Sequence, residues 1–321
     1  MCTTYKNKEI SLVQKSSNNF ITLRDSLQKL IGTGKILVDE PMKRHTTFKI
    51  GGPADIMVIP KDEESLSRIL KFLAENKVKA LIIGNGSNMV VSDKGIRGVV
   101  IKLFENFKSI KCEIEYIECE CGALLSKISK VALENELEGV EFAGGIPGTI
   151  GGAIYMNAGA YGGQMSDVVV GTHCLDYQGN KIVIIGDQHE FGYRESAIHT
   201  RNLIVTRTLM RLNKGDPNTI KAKMDELNKL RVQKQPLEFP SAGSVFKRGE
   251  GYFAGDLIER CNLKGTSVGG AMVSEKHAGF IINKGGATCE DILKLLEIIT
   301  SKVSEEFKIE LQREIMLVGE F

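Results

Sequence analysis

The segment Gly144-Gly-Ile-Pro-Gly-Thr-Ile-Gly-Gly-Ala153 is the part of the sequence that decides the fold. It lies within residues 139–163, where nine of 25 positions are glycine, although glycine supplies only 34 of the 321 residues of the chain. Glycine lacks a Cβ, so the backbone of such a run can approach a ligand closely. This density predicts the wall of a binding site. The alternative is a glycine-rich segment that serves packing alone.

A second glycine loop, Gly84-Asn-Gly-Ser-Asn-Met89, follows the apolar segment Ala80–Ile83. A buried strand that leads into a Gly-x-Gly turn directs backbone N–H groups toward a bound anion. The loop lacks the Gly-Lys-Ser/Thr of a Walker A motif and the third glycine of a Rossmann fingerprint. We therefore expect a phosphate loop of another kind, with a tight turn as the alternative.

The residues around this loop predict a β-α-β unit. Asp55–Ile59 and Gly98–Leu103 have the composition of strands, and Asp62 is a good N-cap for a helix with one apolar face. Residues 1–39 are predicted to form a helical lead-in. Further predicted elements are strands at Phe48–Pro53, 112–121, 168–175, 181–185, 203–211 and Lys308–Val318, and helices at Leu124–Leu133, at 218–235 and after Thr288, where Asp291 completes a capping box.

Composition restricts the function classes. Hydrophobic residues make up 42% and charged residues 26%, as in an ordinary globular protein, and the net charge of +2 argues against a nucleic-acid binder. The seven cysteines include no CxxC pair, which predicts reduced thiols and no metal site. No apolar run approaches the roughly 20 residues that span a membrane. We expect a cytoplasmic protein without a membrane or nucleic-acid partner.

Six segments, in order, resemble one family, the UDP-N-acetylenolpyruvoylglucosamine reductases (MurB). The segments are His45–Asp55, Gly84–Asn88, Gly144–Gly162, Tyr193–Ser196, Ser241–Lys247 and Gln312–Glu314. The resemblance implies an α+β fold: a two-subdomain FAD-binding fold of the vanillyl-alcohol-oxidase (PCMH) type plus a C-terminal α/β substrate domain. Few residues separate Glu195 from the helix near residue 218. In this spacing the chain resembles the shorter type of the family, which lacks an extra substrate-covering loop.

The resemblance also implies a division of the chain. Residues 1–39 would be an N-terminal helical extension. Residues 40–212 would form the FAD-binding domain, in two subdomains at about 40–107 and 108–212, and residues 213–321 the substrate-binding domain.

In this family, noncovalent FAD is reduced by NADPH, and the enolpyruvyl group of a UDP-sugar is then reduced to give UDP-N-acetylmuramate for peptidoglycan synthesis. Neither glycine loop contains a His or Cys that could tether the flavin. The implied cofactor-binding residues are Ile50, Gly51, Gly84, Asn85, Gly86, Ser87, Asn88, Met89, Gly144, Gly145, Ile146, Pro147, Gly148, Thr149, Gly151, Gly152 and Ala153.

Three catalytic residues follow from the same resemblance. Ser244 would protonate the substrate carbon, and Arg194 and Glu314 would stabilise the enolate. From the residues alone, a surface arginine is the better interpretation of Arg194 and a turn serine the better interpretation of Ser244. Glu314 lies on a polar face of the predicted last strand, which is either exposed to solvent or lines a wet cleft.

Candidates for binding the substrate phosphate or carboxylate are Arg231, Lys234 and Lys247. For the first two, the alternative is a solvated helix face. Three function classes remain open: the reductase, a flavin oxidase of the same fold, and a nucleotide-binding module without activity. A binding module has no need for Arg194, Ser244 and Glu314, so this set favours the reductase.

Overall fold

The computed structural model describes residues 17–321, with side chains from residue 20 onward. The first subdomain is built around a four-stranded sheet. Its elements are α1 (Ser17–Leu30), β1 (Lys35–Pro41), β2 (Pro53–Ile59), α2 (Glu63–Glu75), β3 (Ala80–Ile83), β4 (Met89–Val91) and β5 (Ile96–Lys102). The strand order is β1-β2-β5-β3, with β2 and β3 both parallel to β5. The predicted β-α-β unit is confirmed, and Asp62 caps α2 by accepting from Ser65 N at 2.8 Å.

Two predictions near the N-terminus were wrong. The helical lead-in ends at Leu30, and residues 35–41 form β1, because they pair antiparallel with β2 along its whole length. Residues 1–16 of that lead-in lie outside the described residues. The predicted strand Phe48–Pro53 is a loop before β2. Lys49 has a φ of +55°, which interrupts an extended backbone, and Phe48 and Ile50 instead bury their side chains in the C-terminal core.

The second subdomain is a five-stranded antiparallel sheet with helices packed beside it. Its elements are β6 (Ile110–Glu113), β7 (Tyr116–Glu120), α3 (Leu125–Glu134), β8 (Leu137–Glu138), α4 (Ile150–Tyr155), β9 (Gly159–Ala160), β10 (Gly163–Gln164), β11 (Val169–Leu175), β12 (Lys181–Ile185), α5 (Ala197–Thr200) and β13 (Ile204–Arg211). The strand order is β12-β11-β13-β7-β6. The predicted strand at 112–121 is a hairpin of β6 and β7, since Ile114 turns the chain at a φ of +57°.

The C-terminal domain pairs a second antiparallel sheet with a long helix. Its elements are β14 (Asn213–Lys214), α6 (Pro217–Lys234), β15 (Ser241–Ser244), α7 (Ala254–Arg260), β16 (Ser267–Val268), β17 (Ala271–Val273), β18 (Phe280–Asn283), α8 (Cys289–Phe307) and β19 (Met316–Val318). The sheet order is β15-β18-β17-β16. The predicted capping box of α8 is confirmed, with Thr288 Oγ1 accepting from Asp291 N at 3.1 Å.

The last strand leaves this domain and returns to the first subdomain. β19 pairs in parallel with β4 over three residues. The predicted strand Lys308–Val318 is therefore wrong in extent. Only its last part, Met316–Val318, forms a strand, and this strand pairs with β4. Leu311 and Ile315 are nevertheless buried in the C-terminal core, on the face that the sequence pattern predicted. No helix within residues 17–321 is long and apolar enough to cross a bilayer.

Candidate active site

The first glycine loop follows β3 and lies against the loop that contains residues 45–47. Gly86 has a φ of +62°, and a Cβ added to it would lie 2.1 Å from the carbonyl oxygen of His45. Its own carbonyl accepts a hydrogen bond from Thr47 N at 3.1 Å. Only glycine readily adopts this backbone conformation and also lies this close to the His45 carbonyl. The loop is thus fixed from behind by backbone contacts.

The second glycine loop meets the first one directly. Asn85 Nδ2 donates to Pro147 O at 2.7 Å. A Cβ on Gly84 would lie 2.5 Å from Thr149 Oγ1, so the backbone of the first loop packs directly on the Thr149 side chain of the second. Ser87 Oγ lies 3.7 Å from the position of a Cβ on Gly148. The two loops that the sequence predicted as one binding site are therefore neighbours.

The remaining positions of the second loop serve its shape and packing. Gly151 and Gly152 begin the short helix α4, and a Cβ on Gly151 would lie 2.9 Å from Cys121 Cβ. Ala153 is buried beneath the loop, while Gly144 and Ile146 are half-buried. Small residues at these positions let the segment lie close to the sheet of the second subdomain.

Arg194 and Glu314, which are 120 residues apart in sequence, form an ion pair. Arg194 Nε donates to Glu314 Oε1 at 2.6 Å, and a second guanidinium nitrogen donates to Gly159 O at 3.4 Å. The exposed fractions of the two side chains are 21% and 14%. Arg194 has a φ of +58°, an uncommon conformation for a residue with a side chain. The Glu314 carboxylate is therefore mostly covered and paired with Arg194, in place of lying on a fully solvated face.

The backbone of Glu314 is joined to both neighbouring parts of the site. Its N–H donates to Val245 O at 2.9 Å, next to Ser244. Its carbonyl accepts from Asn88 Nδ2 at 3.2 Å, and Met316 N donates to Asn88 O at 3.0 Å. Glu314 is thus connected to the first glycine loop on one side and to the end of β15 on the other.

Ser244 ends β15, where it pairs with Phe280. Its side chain is half-buried, and within residues 17–321 no group forms a hydrogen bond with the hydroxyl. The preceding Gly243 has a φ of +79° and open space on its Cβ side. The Ser244 hydroxyl is therefore free to bond to a ligand.

The predicted substrate-binding residues lie at two places. Arg231, near the end of α6, packs over the second glycine loop, since a Cβ on Gly145 would lie 2.8 Å from Arg231 Cδ. Burial lowers the pKa of Arg231. Lys234 is exposed at the last position of the same helix. Lys247 is half-buried, and its N–H donates to Gln312 O at 2.8 Å, close to Glu314.

Ile50 and Gly51 make different contacts from the other predicted cofactor residues. The Ile50 side chain belongs to the C-terminal core, and Gly51 packs against Val91 and Met42. Both residues line a separate cavity, which contains none of the predicted residues of the two glycine loops.

Three residues that the sequence did not single out as site residues position those that it did. Thr47 Oγ1 donates to Ser241 O at 2.7 Å, which connects the loop behind Gly86 to β15. Tyr193 lies between two guanidiniums, with Arg194 Cζ 5.0 Å and Arg248 Cζ 4.7 Å from its ring centre. The only sequence signal was their position within or beside the quoted motifs.

The third is Asn157, which is buried within the glycine-rich region. Its Nδ2 donates to Gly192 O at 3.0 Å, and its Oδ1 accepts from Ser166 N at 3.0 Å. These bonds fix the turn that presents Arg194.

A chain of three polar side chains lies behind the first glycine loop. Lys102 Nζ is 2.9 Å from His45 Nδ1, and His45 Nε2 is 2.9 Å from Glu40 Oε1. Burial lowers the pKa of Lys102. A lysine that donates to Nδ1 leaves the proton of His45 on Nε2, facing the carboxylate. The sequence analysis assigned no catalytic role to His45. Both nitrogens of its ring are bonded, one to Lys102 and the other to Glu40.

Comparisons with known proteins agree with this architecture. Residues 54–215 match the sequence model of the FAD binding domain family. Residues 235–318 match that of the UDP-N-acetylenolpyruvoylglucosamine reductase C-terminal domain. The two matches confirm the predicted two-part fold, an FAD-binding region followed by a C-terminal domain.

Several proteins that are similar over nearly the whole chain are named UDP-N-acetylenolpyruvoylglucosamine reductases. The UDP-N-acetylenolpyruvoylglucosamine reductase of Caldanaerobacter subterraneus subsp. tengcongensis is 51% identical over 298 residues, which are 93% of this chain and 98% of that protein. The reductase of Alkaliphilus oremlandii is 50% identical, over 92% of this chain and 97% of that protein. The crystal structure of the MurB reductase from Thermus caldophilus superimposes with a TM-score of 0.76 at 32% identity, covering 88% of this chain and 98% of the other.

These relatives span nearly the whole of both chains, and the predicted resemblance is confirmed over both domains. The chain belongs to the UDP-N-acetylenolpyruvoylglucosamine reductase family, whose members are oxidoreductases with an FAD-binding domain.

Proposed function

We propose that this protein reduces the enolpyruvyl group of UDP-N-acetylenolpyruvoylglucosamine to give UDP-N-acetylmuramate, with NADPH as the source of hydride, in peptidoglycan precursor synthesis. Family membership supports the substrate. The observation that carries the proposal is the Arg194–Glu314 ion pair, which adjoins Ser244 and is joined through Asn88 to the first glycine loop. We assign cofactor binding to residues 40–212 and substrate binding to residues 213–321.

The two glycine loops fit FAD. Gly86 and Gly84 stand where any Cβ would collide with neighbouring atoms, and the loops meet through Asn85 and Pro147, so a continuous stretch of backbone is available to a dinucleotide. Binding would be noncovalent, since neither loop contains a His or Cys. When bound, FAD accepts a hydride from NADPH and supplies it to the enolpyruvyl double bond.

Arg194 stabilises the negative charge that develops on the carboxyl side of the substrate when hydride adds to the double bond. A fixed guanidinium in a partly buried site stabilises developing negative charge more strongly than one in water, because it does not have to reorient during the reaction. Glu314 occupies the Nε side of this guanidinium. It therefore acts by orienting Arg194, whose N–H groups not bonded to Glu314 or Gly159 are available to a ligand.

Ser244 supplies the proton. Its hydroxyl has no bonding partner in the described part of the chain, so it is free to donate to the substrate carbon. An alcohol is a weak acid, but the enolate that Arg194 stabilises is a strong enough base to take its proton. The serine alkoxide that remains regains a proton from water before the next turnover. Hydride and proton together complete the reduction.

Arg231 and Lys247 then provide positive charge on two sides of the site, Arg231 over the second glycine loop and Lys247 beside Glu314. Lys234 extends the Arg231 side toward solvent. We assign these three side chains to the diphosphate and carboxylate groups of the substrate.

The assay is NADPH oxidation by the purified, yellow protein. We expect oxidation to depend on UDP-N-acetylenolpyruvoylglucosamine, whereas UDP-N-acetylglucosamine, which lacks the double bond, gives no turnover. Acid precipitation should release the flavin to the supernatant. Protein that contains FAD but oxidises NADPH equally with and without the enolpyruvyl substrate would contradict the proposal.

A further inference from the structure

The separate cavity that Ile50 and Gly51 line has a volume of about 640 Å³. It lies where the first subdomain meets the C-terminal domain. It contains none of the residues Arg194, Ser244, Glu314 and Arg231. Its volume is within the range of small-molecule sites, roughly 300–1,000 Å³. The proposed reduction makes no use of it, so its occupant needs a separate explanation.

The charged side chains that line this cavity are three lysines and one aspartate. Lys43, Lys49 and Lys284 are exposed, and within residues 17–321 none of the three forms an ion pair. The carboxylate of Asp93 is already engaged, since its two oxygens accept from Cys289 N at 2.9 Å and Glu290 N at 3.1 Å. The side chains of the cavity therefore carry a net charge of +2, three lysines against one aspartate, and the three ammonium groups are free to pair with an anion.

The backbone of the loop that closes the cavity is also suited to an anion. Asn283 fixes this loop, donating from Nδ2 to Phe48 O at 3.1 Å and accepting at Oδ1 from Gly285 N at 2.9 Å. Gly286 has a φ of +67° and open space where a Cβ would be. Among the described residues, no acceptor bonds to its N–H. This amide is available to a phosphate oxygen.

An apolar wall completes the cavity. Phe239 has an exposed fraction of 37%, and Pro240 follows it. An exposed phenylalanine beside unpaired lysines offers a surface on which a planar ring can stack. Phosphate alone would leave this surface unused.

We propose that the cavity binds a nucleoside diphosphate, with its phosphates on Lys43, Lys49 and Lys284 and its base against Phe239. The cavity is separate from the two glycine loops and from Arg194, Ser244 and Glu314, although Ile50 and Gly51, which the family resemblance implied as cofactor-binding residues, line it. It adjoins the start of β15, because Asn283 N donates to Pro240 O at 2.9 Å, one residue before the strand that ends at Ser244. An occupant would thus brace the strand that carries the proposed proton donor.

The test is calorimetric titration of the FAD-loaded protein with ADP, AMP and adenosine, in the absence of NADPH and UDP-sugar. With FAD bound, the flavin site is filled, so ADP has to bind elsewhere. We expect ADP to bind more tightly than AMP, and adenosine least. Lys49→Gln and Lys284→Gln should each weaken ADP binding about tenfold, the low end for a hydrogen bond to a charged group.

Two control variants separate this cavity from the proposed active site. Lys94→Gln removes a lysine next to Asp93 that does not line the cavity, and it should leave ADP affinity unchanged. Arg231→Gln should also leave it unchanged. The proposal is overturned if ADP binding is lost in Arg231→Gln and kept in the cavity variants. It is equally overturned if ADP binds only after FAD is removed, binds no better than adenosine, or does not bind at millimolar concentration.

Discussion

Replacement of Glu314 tests whether this carboxylate acts through Arg194. The two side chains share one hydrogen bond of 2.6 Å, and both are largely buried. Glu314→Ala removes the acceptor, at a cost of about 2 kcal/mol for a bond between charged groups. Glu314→Gln keeps an oxygen of the same reach but removes the charge, which costs about half as much, since charge-assisted bonds are roughly twice as strong as neutral ones.

These energies convert directly into rates if they measure how well Arg194 is oriented in the transition state. About 1 kcal/mol lowers the rate roughly fivefold, and about 2 kcal/mol roughly thirtyfold. Arg194→Ala removes the guanidinium itself and should lower the rate by a factor of about 10² to 10³. Because Glu314 has no guanidinium left to orient in that background, the double variant Arg194→Ala/Glu314→Ala should be no slower than Arg194→Ala.

The assay is rapid mixing of the NADPH-reduced protein with UDP-N-acetylenolpyruvoylglucosamine, followed by the return of the visible absorbance of oxidised flavin. The reduction of the flavin by NADPH, measured separately, should stay within a fewfold of the unmodified protein. If the losses of the two single variants multiply in the double variant, Glu314 acts on the substrate independently and the positioning role is wrong.

Three further predictions concern the proton donor, the first glycine loop and pH. Ser244→Ala should leave flavin reduction by NADPH intact and slow product formation by at least ~10²; equal loss of both half-reactions would remove the proton-donor role. Gly86→Ala combines a left-handed backbone, which costs about 1–2 kcal/mol, with a Cβ 2.1 Å from His45 O, so the purified protein should lose its yellow colour. Gly251→Ala, with a φ of +77° and open space around it, should keep that colour. Burial lowers the pKa of His189 below its ordinary 6.5, so the unfolded chain binds the extra proton and stability falls as the pH drops below about 6.5, by at most about 1.4 kcal/mol per pH unit for this proton. Urea unfolding of His189→Gln should show a flatter decline between pH 7 and 5 than the unmodified protein.

Elements defined by local chemistry were predictable from the sequence. The cap residues Asp62 and Thr288 stand before apolar helical faces, and both helices begin there in the structure. The strand before the first glycine loop was likewise recognisable, since the apolar segment Ala80–Ile83 is β3 in the structure. In each case the residues that predict an element lie within about ten positions of that element in the sequence.

Elements defined by a distant partner were not predictable in the same way. β1 exists because β2 pairs with it, whereas residues 312–314 make only an isolated bridge to residues 245–247 and form no continuous strand. The Arg194–Glu314 pair joins residues 120 positions apart, so no local pattern contains it. The family resemblance named both residues, but only the folded chain brings the two charges into contact.

The parallel pairing of β19 with β4 has a consequence for the order in which the protein matures. During synthesis a chain folds from its N-terminus, so both glycine loops are complete while the last residues are still missing. Glu314 and the strand that fixes it follow both glycine loops in the sequence. A nascent chain thus completes the backbone proposed to bind the cofactor before it contains the carboxylate proposed to orient Arg194. The two halves of the proposed site are therefore made one after the other.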